Sequence, residues 1–289
     1  MRYYTIKAFR HQFPDDDACL DWLRHRRWPE RIACAKCGKA NKFHRVRSRK
    51  VYECDFCGYQ ISPTAGTILH KSPTPLTHWF YAMFLMASTR TGISAKQLER
   101  ELGVTYKTAW RMFSQIRKLM AEDVGGFTGG IEADETYIGG KRSGQGRGPG
   151  GKTVAFGIVG RKGGSVMTQI VPDVKARTLL PVLWKHVPAY KGTRVYTDEL
   201  ASYNLLPKLG YVHGRVNHSQ DEWVRGEVHT NTIDGFWSLV KRSIDGVHHS
   251  VSPKHLQSYL NSFAFRYNRR HSPEPMFAAL ADRLPAPLA

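Results

Sequence analysis

Two sets of residues in this chain have the types and spacing to do chemistry. The first is Cys34, Cys37, Cys54 and Cys57, in the order C-x2-C-x16-C-x2-C. Each pair sits on a turn that ends in glycine, C-A-K-C-G and C-D-F-C-G. The glycine lets the backbone fold back, so that amides can point at the sulfurs. Four thiolates suit tetrahedral Zn2+ with no open position, which is a structural site. The second set is acidic: Glu132 and Asp134 in GGIEADETYIGG, Asp198 in TRVYTDE, and Asp234 in HTNTIDGFWSLVKRSI. Carboxylates that converge from separate elements can hold two Mg2+ or Mn2+ ions about 3.5–4 Å apart, as two-metal phosphodiester chemistry requires. Each acid also has a plain reading. Glu132 and Asp134 could be strand-edge charges and Asp198 a turn residue. Asp234 could cap a helix whose N-cap is Asn231.

The elements that must position them are legible in outline. GGIEADETYIGG reads as a short strand, with Glu132 and Asp134 on one face by the two-residue alternation. TVAFGIVGRKGGSVMTQIV reads as a hairpin around KGG, and KARTLLPVLWKHV as a helix. TRVYTDE reads as a strand ending at Asp198, and YVHGRVNHS as a further short strand. In HTNTIDGFWSLVKRSI, the residues Ile233, Phe236, Trp237, Val240 and Ile244 have helical core spacing. Lys241 comes two helical turns after Asp234 and shares its face, where a cation could meet a DNA phosphate. Arg242 lies beside it.

The rest of the chain points to the same kind of partner. Lys+Arg 43 against Asp+Glu 24 gives a formal charge of +19, the footprint of a protein that binds a polyanion. An apolar fraction of 41% allows packed cores and argues against general disorder. No run of apolar residues is long enough to span a membrane, and the start lacks the apolar stretch of a signal peptide. Paired cysteines used for metal fit an intracellular setting, and the odd Cys19 reads as a core residue. Residues 14 to 28 read as a helix with Ala18, Leu20, Trp22 and Leu23 at core-like positions. PLTHWFYAMFLMAS puts Leu76, Trp79, Phe80, Met83, Phe84 and Ala87 on one helical face. SAKQLEREL, Gly103 and TYKTAWRMFSQIRKLM then match a helix-turn-helix, with Thr105 as N-cap. Its second helix would offer Tyr106, Lys107 and Arg111 to DNA and turn Ala109, Trp110 and Phe113 inward. A plain helical bundle is the competing reading.

Two further segments carry charge. GGKRSGQGRGPGGK, residues 139–152, reads as a mobile loop whose Lys141, Arg142, Arg147 and Lys152 could touch phosphates. Within it, GRGPGGKT satisfies the nucleotide-binding pattern G-x-x-x-x-G-K-[ST]. The run TVAFGIVG at its end is strand-like, whereas a phosphate loop opens a helix, so no nucleotide is expected. HLQSYLNSFAFRYNRR reads as a helix ending in Arg266, Arg269 and Arg270. Either these reach DNA or the helix is packed with a solvated end.

Taken together, these segments resemble the bacterial insertion-sequence transposases of the acidic-triad (DDE) class, in the ISXO-like group with an amino-terminal zinc ribbon. The likeness runs through ACLDWLRHRRWPE, ISPTAGTILHKSPTPLTHWFYAMFLM, IEADETYIGGK, YTDE, VNHS, HTNTIDGFWSLVKR and FAFRYNRR. It implies an α+β multidomain chain. A helical segment spans 1–30, a zinc ribbon 31–72, and a helix-turn-helix 73–124. A ribonuclease H-like α/β domain with a mixed sheet spans 127–272, and a tail occupies 273–289. It implies binding to the terminal inverted repeats of an element, Mg2+-dependent cleavage, and strand transfer into target DNA. A homodimer or larger assembly on DNA and a place in the bacterial cytoplasm are implied as well. Asp134 and Asp198 match the family's first two acids. At the third, the family reads Glu or uses the Asn three residues earlier. Here Asp234 stands in the Glu position, one bond or about 1.5 Å shorter, and Asn231 is kept. Asp234 is the favoured third ligand, with Asn231 as the alternative. That difference also motivates a second reading, a DNA-binding relative with weakened catalysis acting as a regulator.

Overall fold

A computed structural model of the chain describes residues 4–40, 42–127, 129–139, 151–189, 192–220 and 222–285. Lys141, Arg142 and Arg147 lie outside the described residues. The chain divides into two units, Met1–Leu119 with Ser272–Ala289, and Met120–His271.

The first unit begins with α1 (Ile6–Gln12), which the periodicity reading of 14 to 28 did not include, and α2 (Asp16–Arg27). Asp15 caps α2 by accepting from the Ala18 amide at 2.8 Å. Cys19, Leu20 and Leu23 are fully buried, so Cys19 is a core residue as expected. A three-stranded antiparallel sheet comes next: β1 (Phe43–Val46), β2 (Val51–Cys54) and β3 (Gln60–Ile61). In α3 (Leu76–Ser88) the six residues of the apolar stripe are buried, and Ala82 and Met86 are buried besides. A helix that is apolar on most sides belongs in a core. Rings from α1, α3 and the C-terminal helix Met276–Ala281 meet there: Phe9 lies 5.2 Å from Phe84 and 5.7 Å from Phe277, centroid to centroid. Then come α4 (Ala95–Leu102), capped by Ser94, and α5 (Tyr106–Leu119). Between them Gly103 takes the left-handed conformation at φ +61°, which ends α4 sharply. Thr105 caps α5 through the Thr108 amide at 3.4 Å.

The second unit is built on a five-stranded mixed sheet. Its strands are β4 (Gly130–Ile138), β5 (Thr153–Gly160), β6 (Val166–Val171), β7 (Arg194–Thr197) and β8 (Val212–Arg215), in the spatial order β6-β5-β4-β7-β8. The first three are antiparallel, while β4–β7 and β7–β8 are parallel. This is a ribonuclease H-like sheet. Thr153 opens a strand, not a helix, which removes the structural context of a phosphate loop. α6 (Ala176–His186) contributes Leu179, Leu180 and Leu183 to a core with Ile131, Ala133, Phe156 and Ile158. A two-stranded hairpin, β9 (Val224–Arg225) and β10 (Val228–His229), precedes α7 (Asn231–Ser243). α8 (Pro253–Asn268) completes the unit. Two side-chain amides of α8 stand in for a neighbouring strand along β6. Gln257 accepts from the Ile170 amide at 2.8 Å and donates to the Thr168 carbonyl at 3.0 Å, and Asn268 accepts from the Val166 amide at 2.7 Å. Part of the open backbone edge of β6 is thereby satisfied.

α7 lies on the face of the sheet that carries Glu132 and Asp134, and one glycine allows it. Gly157 pairs with Asp134 across β4–β5, and a Cβ there would meet the Trp237 ring at 2.5 Å and Ile233 at 3.0 Å. Gly157→Ala should destabilise this unit by about 1–3 kcal/mol, because a packed core cannot absorb the added methyl without shifting α7. Denaturant unfolding checks this, and an unchanged midpoint would contradict the close approach.

Candidate metal centres

The four cysteines come together where their spacing places them. Their sulfurs lie within 4.8 Å of one another, with Cys34 and Cys54 buried. Gly38 and Gly58 adopt φ +71° and +68°, and their amides donate back to the Cys34 and Cys54 carbonyls at 2.8 and 3.0 Å. Burial acts to raise the Cys34 thiol, but the Cys37 and Lys36 amides that donate to it outweigh this and hold it below its ordinary value. Four sulfurs at this separation, with amides aimed at those of Cys34 and Cys57, fit tetrahedral Zn2+ and leave no open position.

The acids also converge. The register Glu132↔Tyr196 of the parallel pair β4–β7, carried on by two residues, sets Asp134 beside Asp198. Formal pairing stops at Glu132↔Tyr196, so past that point side chains from both faces of β4 can turn into the opening. Asp134, Glu135 and Asp198 each bring a carboxylate oxygen there, all within 4.8 Å of one another. Glu135 was missed by the sequence reading, because alternation assigns it to the face opposite Asp134. The only signal was its place next to Asp134. Its Oε2 accepts from the hydroxyl of the fully buried Tyr203 at 2.6 Å. Asp198 Oδ1 accepts from the Leu200 amide at 3.0 Å. Asp234 stands outside this tight group of three, yet its charge acts on Asp134. Its Oδ2 accepts from the Thr230 hydroxyl at 3.0 Å.

Crowding sets the protonation of the group. Burial first, then the charges of Glu135, Asp234 and Asp198, raise Asp134 well above the usual carboxylate range. Burial, with Asp198 adding to it, raises Glu135 to about 7 despite the opposing hydrogen bond from Tyr203. Carboxylates that resist ionisation until cations arrive are what a divalent metal site provides. The folded protein therefore binds protons here more tightly than the unfolded chain. Glu135 contributes stability below its ordinary 4.5 that is lost as the pH rises through about 7. Saturating Mg2+ should accordingly raise the melting temperature of this unit more at pH 8 than at pH 5. An equal gain at both values, read by calorimetry, would contradict the crowding.

Glu132 shares the face of Asp134 but has a different environment. It is fully buried. Its Oε2 accepts from the Thr232 and Ile233 amides at 2.8 and 3.0 Å, and its Oε1 from the Thr232 hydroxyl at 2.9 Å and Arg161 Nε at 2.8 Å. It thus caps α7 from another strand. The N-cap position of α7 is Thr230, not Asn231, which is the exposed first residue of the helix. The expectation that Asn231 caps this helix is corrected: Glu132 takes the free amides that an N-cap side chain would have served.

The matches to known proteins bear on both centres. Residues 126–268 match the ISXO2-like transposase domain, and residues 14–60 match the transposase zinc-ribbon domain. An uncharacterized transposase-like protein of Haemophilus influenzae is 32% identical over 103 residues, 36% of this chain and 80% of that protein. This chain belongs to the ISXO2-like transposases. An uncharacterized protein in transposable element ISH50 of Halobacterium salinarum is 25% identical over 272 residues, 88% of this chain and 91% of that protein. The transposase domain holds the acidic cluster, and the zinc-ribbon match covers all four cysteines. The chain is therefore an enzyme of the DDE class with a separate zinc-ribbon module.

The other residues singled out for this transposase are placed unevenly. Lys241 and Arg242 are exposed on α7, and Tyr106 and Lys107 are exposed at the start of α5. Arg111 donates to the Ser72 hydroxyl at 2.8 Å and lies over the Trp79 ring, so part of its guanidinium is engaged within its own unit. Ala109 and Phe113 are buried, while Trp110 is half-buried. Lys152 is half-buried just before β5. On α8, Arg266 is buried against Phe263, and burial pulls it down to about 10. Arg269 pairs with Glu122 at 2.6 Å, and Arg270 packs over the Tyr267 ring. Of the two readings of this helix end, the packed one describes Arg266. Among the described residues no helix is long and apolar enough to cross a membrane.

Proposed function

We propose that this transposase binds the terminal inverted repeats of an insertion sequence, cleaves DNA strands there and joins them to target DNA. The observation that carries the reading is the meeting of Asp134, Glu135 and Asp198 at one point, with Asp234 acting on the same group. When bound, two Mg2+ or Mn2+ ions would activate the attacking water or 3′-hydroxyl and stabilise the departing oxygen. The residues themselves hold and orient. Asp134 and Asp198, on adjacent strands, are the central ligands. Tyr203 and the Leu200 amide each fix one carboxylate oxygen, of Glu135 and Asp198 respectively. Asp234 is the third acid of the triad, aimed by Thr230, and Asn231 lies one turn away on the exposed start of α7. Lys241 and Arg242 are exposed further along that helix and suit DNA phosphates.

End recognition is assigned to the first unit. The helices α4 and α5, joined by the Gly103 turn, act as a helix-turn-helix, with Tyr106 and Lys107 exposed where a recognition helix reads base edges. The zinc ribbon adds a second DNA contact, and two copies of the chain assemble to hold two ends. Lys141, Arg142, Arg147 and Lys152 supply phosphate contacts, as do Arg269 and Arg270 at the end of α8. The test is a cleavage assay with Mg2+ or Mn2+ on duplexes carrying the element's ends. Nicking at the ends and not on scrambled duplexes is expected, with affinity falling steeply as salt rises because Lys and Arg release phosphate counterions. Tight, end-specific binding without nicking in either metal would instead support a DNA-binding regulator.

A further inference from the structure

The third acid depends on something that brings α7 to β4, and the sequence separates the two by about a hundred residues. The structure shows a direct polar link between them. Glu132 sits two residues before Asp134 on β4, and the Thr232 and Ile233 amides it receives lie immediately before Asp234 on α7. These are backbone amides of the first helical turn, which have no partner inside the helix. A carboxylate that takes both fixes where the helix begins and how it is turned. Thr230, at the N-cap position, makes no capping bond, so its hydroxyl is free to hold Asp234. The clamp is itself braced. Arg161, from the turn after β5, donates to Glu132 through Nε and to the Glu227 and His229 carbonyls through its other nitrogens. It also lies over the Tyr196 ring, 3.6 Å from its centroid. His229 Nδ1 is 3.2 Å from Glu132 Oε1. Through Arg161, the hairpin leading into α7 is tied to the same carboxylate as the helix.

We propose that Glu132 is a positioning residue for the metal site: its carboxylate, braced by Arg161, sets the distance between Asp134 and Asp234. The inference rests on Asp234 being a metal ligand. Supporting groups behind metal ligands alter metal affinity about 10–100-fold when removed. Glutamine in place of Glu132 would set an amide donor against donors at Thr232, Ile233 or Arg161, so the clamp should slacken although the shape is kept.

The test uses the full chain and measures end cleavage as a function of Mn2+ concentration, with zinc content, melting temperature and end-DNA affinity measured alongside. Glu132→Gln should raise the Mn2+ concentration for half-maximal rate at least about tenfold, while the rate at saturating Mn2+ recovers to near the native value. Thr232→Val, which removes only the hydroxyl bond to Glu132, should shift it in the same direction by a few-fold. It decides the matter if Glu132→Gln does not fold. Asp234→Asn should shift the metal dependence further without recovery at saturation. If Asp234→Asn alone leaves the metal dependence native, the assignment of Asp234 fails. If Asp234→Asn shifts it and the two clamp variants do not, the positioning role is overturned. A loss of rate at all Mn2+ concentrations in proportion to the unfolded fraction would overturn it too, since that is what a merely structural residue would give.

Discussion

Asp134→Ala should abolish strand cleavage, with a loss on the order of 10³-fold or more, while end-DNA affinity stays within a few-fold of native. Asp134 is the acid that feels every other part of the cluster: its proton affinity responds to Glu135, Asp234 and Asp198 together. Removing it takes away one of the three carboxylates that converge there and leaves only Glu135 and Asp198 of that tight group. Asp198→Ala should do nearly as much, and the double variant little more, because residues that act as a unit do not add. Glu135→Gln separates the acid added by the structure from the expected triad. It should raise the metal requirement, and it should also lessen the high-pH loss of stability in metal-free protein by the share of Glu135, which is raised to about 7, while the share of Asp134 remains. The measurement is nicking of labelled end duplexes beside a binding titration on the same preparation. Native cleavage by Asp134→Ala would end the catalytic assignment, and lost binding would show that the variant had damaged more than the centre.

Removing zinc should unfold the ribbon outright. Its sheet consists of strands of four, four and two residues, too little to bury a core of its own. Zinc binding by four thiolates contributes about 10–16 kcal/mol in small zinc modules, which exceeds anything the hydrogen bonds of such a sheet supply. Treatment with a strong chelator should release one zinc per chain and collapse amide protection across Val51–Cys54. End-DNA affinity should fall with it. The acidic centre lies in the other unit, so its Mg2+-dependent stabilisation should persist. Retention of protection at Val51–Cys54 after the zinc has left would show that the thiolates have some other task. Cys19 is buried in the core of α2 and should neither bind metal nor react.

Much of this was legible because it is local. The Cys-x2-Cys turns need only their glycines at positive φ, and both have it. The stripe Ile233, Phe236, Trp237, Val240 and Ile244 is buried throughout, and so is that of α3. The hairpin of β5 and β6 turns around Lys162 and Gly163, both at positive φ, where KGG marked it. The first helix was not legible by periodicity: seven residues, Ile6–Gln12, give too short a window, and α1 is held by its aromatic packing on α3. For Arg266 the sequence left DNA contact and a packed helix with a solvated end both open, and its place on α8 turns it toward Phe263.

What the sequence determined by itself was the identity of the elements and of the ligands most tightly bound to them: four cysteines on two turns, Asp134 within a strand, Asp198 at the end of another. Those arise from short-range rules, the alternation of a strand and the geometry of a turn. The tertiary structure alone decided which acids share the centre. Glu135 joins Asp134 and Asp198 there, and Glu132 caps α7, the helix that carries Asp234, from a hundred residues upstream. No local pattern encodes a carboxylate of one strand meeting the free amides of a distant helix. That contact exists only once the sheet and α7 have packed, with Gly157 allowing Trp237 to lie against the sheet.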